Sequence, residues 1–299
     1  MILSTNPTEY GFFDPLLAEK GRELRDAYVT AQPFQHIVLD DFLDQETIAL
    51  CLREFPRGKS APSASYSRKQ ESKKVEYRPE SLAPSLRALF YSFNSLPFIS
   101  FLENLTGING LVPDPYFAGG GLHEIFTGGY LNIHADFNHH GLMNLERRIN
   151  VLIYLNEDWK EEYGGCLELW EKGMRSRSER IVPILNRCVI FNTSADSLHG
   201  NPDPVCHPQG ISRRAIALYY YTATWSELRR ARTTQFATRP NSNDAADLQV
   251  RVGELMEEVV PPVLLRTTRK VIRRVKSLSQ RRYRKSEDAR NIATHESEG

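Results

Sequence analysis

Apolar residues change their spacing several times along the chain, and each change marks an element. A helix is expected through Pro15 to Ala31, and Pro33 to Leu43 reads as a short strand. That strand leads into a helix over about Gln45 to Phe55, with Asp44 as candidate N-cap and Ile48, Leu52 and Phe55 on one face. From Arg57 to Arg78 the periodicity is lost, and seven bases stand against two acids. A basic surface loop is the expectation there, with a substrate-covering lid as the alternative. Helical spacing returns from Leu82 to Leu105 through Leu86, Leu89, Phe90, Phe93, Phe98, Phe101 and Leu102, whose aromatics are expected in the core.

Beyond Gly119-Gly-Gly the period shortens. Within Gly128 to Asp136, Tyr130, Asn132, His134 and Asp136 share one strand face, and Leu131, Ile133 and Ala135 fill the other. Arg147 to Asn156 reads as a buried strand, and Gly164-Gly165 as a turn into Cys166-Leu-Glu-Leu-Trp. Pro183 to Phe191 gives another turn and strand. In the last strand Arg213, Ala215, Ala217, Tyr219 and Tyr221 share one face, with room for a ligand beside Arg213, while Ile216 and Leu218 suit packing outside. Strand and turn alternate through Thr222 without a long helical pattern. The expected fold class is therefore mainly β with flanking helices, around a double-stranded β-helix or jelly-roll core.

Three regions follow: a strand and helix support region over 1–118, the jelly roll over 119–226, and a polar linker with a basic helical tail over 227–299. Arg239 to Asp247 reads as linker, Leu248 to Val260 as an acidic helix, and Pro261-Pro262 as its break. Leu264, Val271, Ile272, Val275 and Leu278 then recur at helical spacing. The chain's net charge of +1 hides an asymmetry, because Val263 to Lys285 holds ten Lys or Arg and no acid, leaving the remainder at −9. Such a tail could contact an anionic membrane, nucleic acid or an acidic protein surface, or stay solvated. The four cysteines, Cys51, Cys166, Cys188 and Cys206, lack close paired spacing and suit a reducing compartment. Neither a secretion signal nor a membrane span is expected, and the cytoplasm is the expected location.

The chemistry centres on His134 and Asp136. An imidazole and a carboxylate on one strand face can bind a metal ion from one direction, and His199, in Ser-Leu-His-Gly, is the candidate third ligand. Two histidines and one carboxylate make the facial triad of non-haem Fe(II) oxygenases, which leaves positions open for O₂ and a co-substrate. Arg213, with Arg214 as fallback, is the candidate cation for an acidic co-substrate. His36 reads as an ordinary histidine, and His139 and His140 as loop residues with a supporting role left open. His123 is open between lining a cavity and packing.

These features come in a familiar order. His134-x-Asp136, the run Arg147 to Asn156 ending Ile-Tyr-Leu-Asn, Trp159, Gly164-Gly165, Pro183, Cys188 to Phe191, His199 and Arg213 resemble Fe(II)/2-oxoglutarate-dependent dioxygenases of the prolyl 4-hydroxylase type. The resemblance covers roughly Gly119 to Thr222. It implies Fe(II) on His134, Asp136 and His199, no catalytic residue beyond these ligands, and 2-oxoglutarate held at its far carboxylate by Arg213 and Tyr154. It also implies O₂ as co-substrate, ascorbate as a stimulant and hydroxylation of an aliphatic C–H. Family halogenases lack the carboxylate that Asp136 supplies. The expected substrate is a prolyl or other amino-acid residue, with a free amino acid or natural product as the alternative. A non-catalytic jelly-roll metal-binding module with a basic interaction tail is the remaining rival.

Overall fold

The computed structural model describes residues 16–56, 62–226, 231–242 and 244, with the backbone of two short paired strands, β1 (Thr5–Asn6) and β2 (Gly11–Phe12). Met1–Asp247 forms one unit. The acidic helix expected over 248–260 and the basic tail over 263–285 lie outside the described residues.

Helix α1 (Leu17–Thr30) precedes β3 (His36–Leu39) and α2 (Gln45–Glu54). Asp44 caps α2 as expected, its carboxylate accepting from the Thr47 N–H at 2.8 Å. Next come β4 (Ala64–Arg68) and β5 (Glu71–Tyr77), then α3 (Pro84–Phe93) and α4 (Leu96–Thr106). The helical spacing read as one stretch is thus two helices, separated at Asn94-Ser95. Pro97 sits in the first turn of α4, where its missing N–H leaves no hydrogen bond unmade. Phe90, Phe93, Phe98 and Phe101 are buried in the core.

The remaining strands are β6 (Val112–Pro113), β7 (Gly121–Ala135), β8 (His139–His140), β9 (Leu145–Tyr154), β10 (Leu167–Trp170), β11 (Arg177–Ile181), β12 (Cys188–Asn192), β13 (Leu198–Asn201), β14 (Arg213–Thr222) and β15 (Gln235–Phe236). They form one curled antiparallel sheet in the order β11-β10-β13-β7-β14-β9-β12-β3. The fold is mainly β, a jelly-roll core with helices packed on one outer face.

One strand serves both halves of the roll. The first part of β7 pairs with β14 and β5, and its last residues pair with β13 and β15. Gly128 and Gly129 make the corner. Gly128 has φ +78°, and a Cβ on Gly129 would lie 2.7 Å from the Ser72 carbonyl oxygen. The β14 alternation then sorts the two faces. Ile216, Leu218 and Tyr220 join the helices' core, while Ala215 and Tyr154 join a second apolar cluster inside the roll with Leu169, Val189 and Phe191.

Three sequence expectations need correction. The loop expected over 57–78 is, from Ala64 to Tyr77, a hairpin whose inner strand β5 joins the sheet beside β7. Its apolar period is missing because its buried face carries Glu71, Lys74 and Glu76. The boundary expected at 118/119 is likewise not one, since β3, β5 and β6 all belong to the barrel sheet. The expected linker also begins too early: β15 pairs with the end of β7, and Arg239 donates to Asp203 at 2.9 Å and to Asp244. Polar composition concealed a tethered segment there.

Candidate active site

His134 and His199 meet because β13 runs antiparallel to β7 with these two residues directly opposite. Asp136 follows one residue beyond the end of β7. The Asp136 carboxylate lies 3.5 Å from Nε2 of His134 and 3.5 Å from Nε2 of His199. Among the described residues these three form the one cluster of His, Cys, Asp or Glu suited to a metal ion, with ligand atoms within 4.8 Å of one another.

Both imidazoles are oriented for coordination. Nδ1 of His134 contacts the Asn132 carbonyl at 2.8 Å, and Nδ1 of His199 the Ser197 carbonyl at 2.9 Å. A carbonyl oxygen can only accept, so each Nδ1 carries the proton and each Nε2 presents a lone pair. Burial pushes the His199 pKa down to about 4 against the pull of Asp136, which keeps that lone pair available near neutral pH. Burial alone would raise the Asp136 carboxyl, but Arg147, His199 and His134 together hold it well below the usual range.

Two supports for Asp136 were not read from sequence. Asn150 donates Nδ2 to Asp136 Oδ2 at 2.6 Å, and Arg147 Nη2 lies 3.1 Å from the same oxygen. Arg147 is fully buried, bonded to Asn150 Oδ1 and stacked under Tyr219 at 3.6 Å. The signal lay in the pattern, because an Arg and an Asn interrupt an otherwise apolar buried strand, and buried polar groups need partners.

Arg213 and Tyr154 stand together on the inner face. The Arg213 guanidinium lies 4.9 Å over the Tyr154 ring, and its Nε donates to the Gly165 carbonyl at 2.7 Å. Gly165 has φ +65°, and a Cβ there would fall 2.8 Å from Arg213 Cδ, so the Gly164-Gly165 turn makes the space this arginine occupies. The Tyr154 hydroxyl is buried without a hydrogen-bond partner. Burial raises its pKa and lowers that of Arg213. A planar cation beside an unsatisfied phenol matches a carboxylate ligand. Arg214 faces the other way, against Glu124 at 3.3 Å and the Phe55 ring.

The other histidines do not join the triad. His123 is buried on the inner face with Nε2 on the Gly119 carbonyl at 2.9 Å, and burial together with Lys74 lowers its pKa to about 4. His140 packs among Asp114, Tyr116 and Tyr221, and His139 on Trp225. His36 bonds the Phe34 carbonyl.

Residues 120–221 match the family model of the 2OG-Fe(II) oxygenase superfamily. That match supports the resemblance of this segment to 2-oxoglutarate-dependent oxygenases, and prolyl hydroxylases are among the solved structures of similar fold. The segment is an oxygenase core whose cofactors are Fe(II) and 2-oxoglutarate, and the donor set and the Arg213–Tyr154 cradle fit both. No curated protein matches the chain. Among solved structures, a Trichoplax adhaerens prolyl hydroxylase in complex with a hypoxia inducible factor peptide fragment is similar in fold, at TM-score 0.52 and 17% identity over 72% of this chain and 97% of its own. A Pseudomonas putida prolyl-4-hydroxylase aligns at TM-score 0.46 and 16% identity, over 70% of this chain and 100% of its own. HygX from Streptomyces hygroscopicus, solved with nickel and 2-oxoglutarate, aligns at TM-score 0.48 and 11% identity, over 73% and 96%.

Proposed function

We propose that this protein is an Fe(II)- and 2-oxoglutarate-dependent hydroxylase acting on an aliphatic C–H of an amino-acid substrate, whether a prolyl or other residue or the free compound. The observation that carries the reading is the convergence of His134, Asp136 and His199 on one point, with the Arg213–Tyr154 cradle on the same inner surface. The overall reaction balances as substrate C–H, O₂ and 2-oxoglutarate giving C–OH, succinate and CO₂.

When bound, Fe(II) would supply O₂ chemistry coupled to decarboxylation of the 2-oxo acid. The chain's own residues do the positioning. His134 and His199 offer neutral Nε2 donors fixed by backbone carbonyls, and Asp136 offers an ionised carboxylate held by Asn150 and Arg147. Arg213 and Tyr154 would take the far carboxylate of 2-oxoglutarate and so set the reach of its oxo-acid end. Val189, Phe191 and Leu169 close the interior to water around them.

The test is succinate release from purified protein supplied with Fe(II), 2-oxoglutarate and O₂. Turnover that requires all three, and that disappears in His134→Ala, Asp136→Ala and His199→Ala, is expected. A protein that binds metal but never decarboxylates 2-oxoglutarate would instead be a metal-binding jelly roll.

A further inference from the structure

The hairpin that replaces the expected loop places a charged pair on the inner wall. Across β5, β7 and β14 the register aligns Lys74 with Ile125 and Arg213, and Glu76 with His123 and Ala215. Directly opposed residues of an antiparallel pair point to the same face, so Lys74 and Glu76 share the inner surface with Arg213. Ala215 is opposite Tyr154, and Tyr219, two positions beyond Ala217 on that face, is opposite Asn150, the residue that holds Asp136. One continuous surface therefore runs from the hairpin pair to the support of the metal carboxylate. Adjacent strands lie about 4.8 Å apart, which puts the Lys74 backbone roughly 10 Å from that of Arg213.

The pair is enclosed. Glu76 is 1% exposed and Lys74 is 9% exposed, with Lys74 Nζ 3.1 Å from Glu76 Oε1. Glu76 also accepts from the Tyr66 hydroxyl at 3.1 Å, and Glu71 lies 3.9 Å from Lys74 Nζ, itself bonded to Arg68. Lysine and glutamate are among the side chains least often buried, and a buried ion pair adds little to stability compared with apolar residues of the same volume. Its chemistry therefore calls for a role besides packing. Lys74 uses one donor in a hydrogen bond and lies 4.8 Å over the Tyr66 ring, and the Glu76 carboxylate, which meets Lys74, Tyr66 and, at 3.6 Å, His123 Nε2, has lone pairs beyond its two hydrogen bonds. This is a poor wall for an apolar ring and a good one for a ligand carrying opposite charges close together.

Resting on the oxygenase reading above, we propose that Lys74 and Glu76 select a zwitterionic substrate, a free α-amino acid, with its carboxylate on Lys74 and its ammonium on Glu76. In a peptide both groups are neutral amides. A zwitterion can offer each member of the ion pair an opposite charge in place of its partner, whereas a peptide offers only amide dipoles, and that difference gives discrimination.

The experiment compares the twenty free L-amino acids with their N-acetyl amide forms and with peptides containing them. Full-length protein carrying Mn(II) and 2-oxoglutarate is titrated with each by calorimetry, and succinate release is followed with Fe(II). At least one free amino acid should bind and stimulate succinate release, and its blocked form should bind at least about tenfold more weakly. Lys74→Met and Glu76→Gln should raise KM for that amino acid by about ten- to a hundredfold, and by more than they raise KM for 2-oxoglutarate. Blocked or peptidyl forms that work as well as free ones would overturn the proposal, as would silence from all twenty. The blocked-versus-free comparison uses the unaltered chain and so stands even if a variant misfolds. Absence of any 2-oxoglutarate turnover in the unaltered chain, uncoupled turnover included, would overturn the oxygenase reading instead.

Discussion

His199 stands directly across the β13–β7 ladder from His134, with ring centroids 4.5 Å apart. Two ligands from neighbouring strands are thus fixed by sheet pairing rather than by loop conformation, so the site exists before metal arrives. A preformed site binds metal in the folded state and not in the unfolded chain, and binding must raise stability. Mn(II) at a hundredfold excess over its Kd is expected to add about 2.7 kcal/mol, read as a rise in Tm. His134→Ala, Asp136→Ala and His199→Ala should fold yet each lose most of that rise. A variant that keeps the full shift would remove its residue from the ligand set.

Asn150 and Arg147 hold the same Asp136 oxygen, and their loss should act through the metal. Asn150→Ala and Arg147→Met are each expected to weaken Mn(II) affinity by about ten- to a hundredfold, the usual effect of removing a partner that orients a metal ligand. Titration of Mn(II) into the folded variants measures this directly. Unchanged affinity would mean that Asp136 is positioned by the strand end alone.

The co-substrate cradle gives a graded series. Arg213→Ala should raise the 2-oxoglutarate requirement by about one to two orders of magnitude, since a charge-assisted contact contributes about 1.5–3 kcal/mol. Arg214→Ala should do far less, because Arg214 serves Glu124 on the opposite face. Gly165→Ala should resemble the Arg213 change in kind, its new Cβ displacing the arginine's Cδ. Tyr154→Phe should be milder. If Arg214→Ala proves the more damaging, the inner face has been assigned to the wrong arginine.

How far the sequence was legible follows from what each residue depends on. Alternation in β14 separated Arg213 from Arg214 because a period of two is a local property. The strands β9 and β12 were equally visible, being rich in branched and aromatic residues, but β13, Leu-His-Gly-Asn around His199, carries no such pattern. The Lys74 and Glu76 strand was not. A strand whose inner face is charged and whose other edge pairs only with β4 of its own hairpin has no apolar period, and its stability comes from pairing with β7, about fifty residues away in sequence. Arg147 and Asn150 were visible as polar interruptions, but their target, Asp136, is set by tertiary placement. The same holds for Phe236, whose ring lies 5.5 Å from that of His134.

That last contact separates two truncations. β15 pairs Phe236 with His134 and Gln235 with Ala135, and the Ala237 N–H donates to the Ile133 carbonyl at 2.8 Å. Arg239 then anchors the segment on Asp203. A chain ending at residue 260 keeps all of Met1–Asp247 and should retain 2-oxoglutarate turnover and Mn(II) affinity close to those of the full protein. A chain ending at residue 233 leaves the edge of β7 unpaired beside a metal ligand and uncovers a buried imidazole. It should bind Mn(II) more weakly, and Phe236→Ala in the full chain should reproduce part of that loss through packing alone. The measurement is Mn(II) affinity across the four proteins, the full chain included. Equal affinity in the two truncated chains would show that β15 covers the site without shaping it, and loss in the longer one would assign a structural role to residues beyond 260.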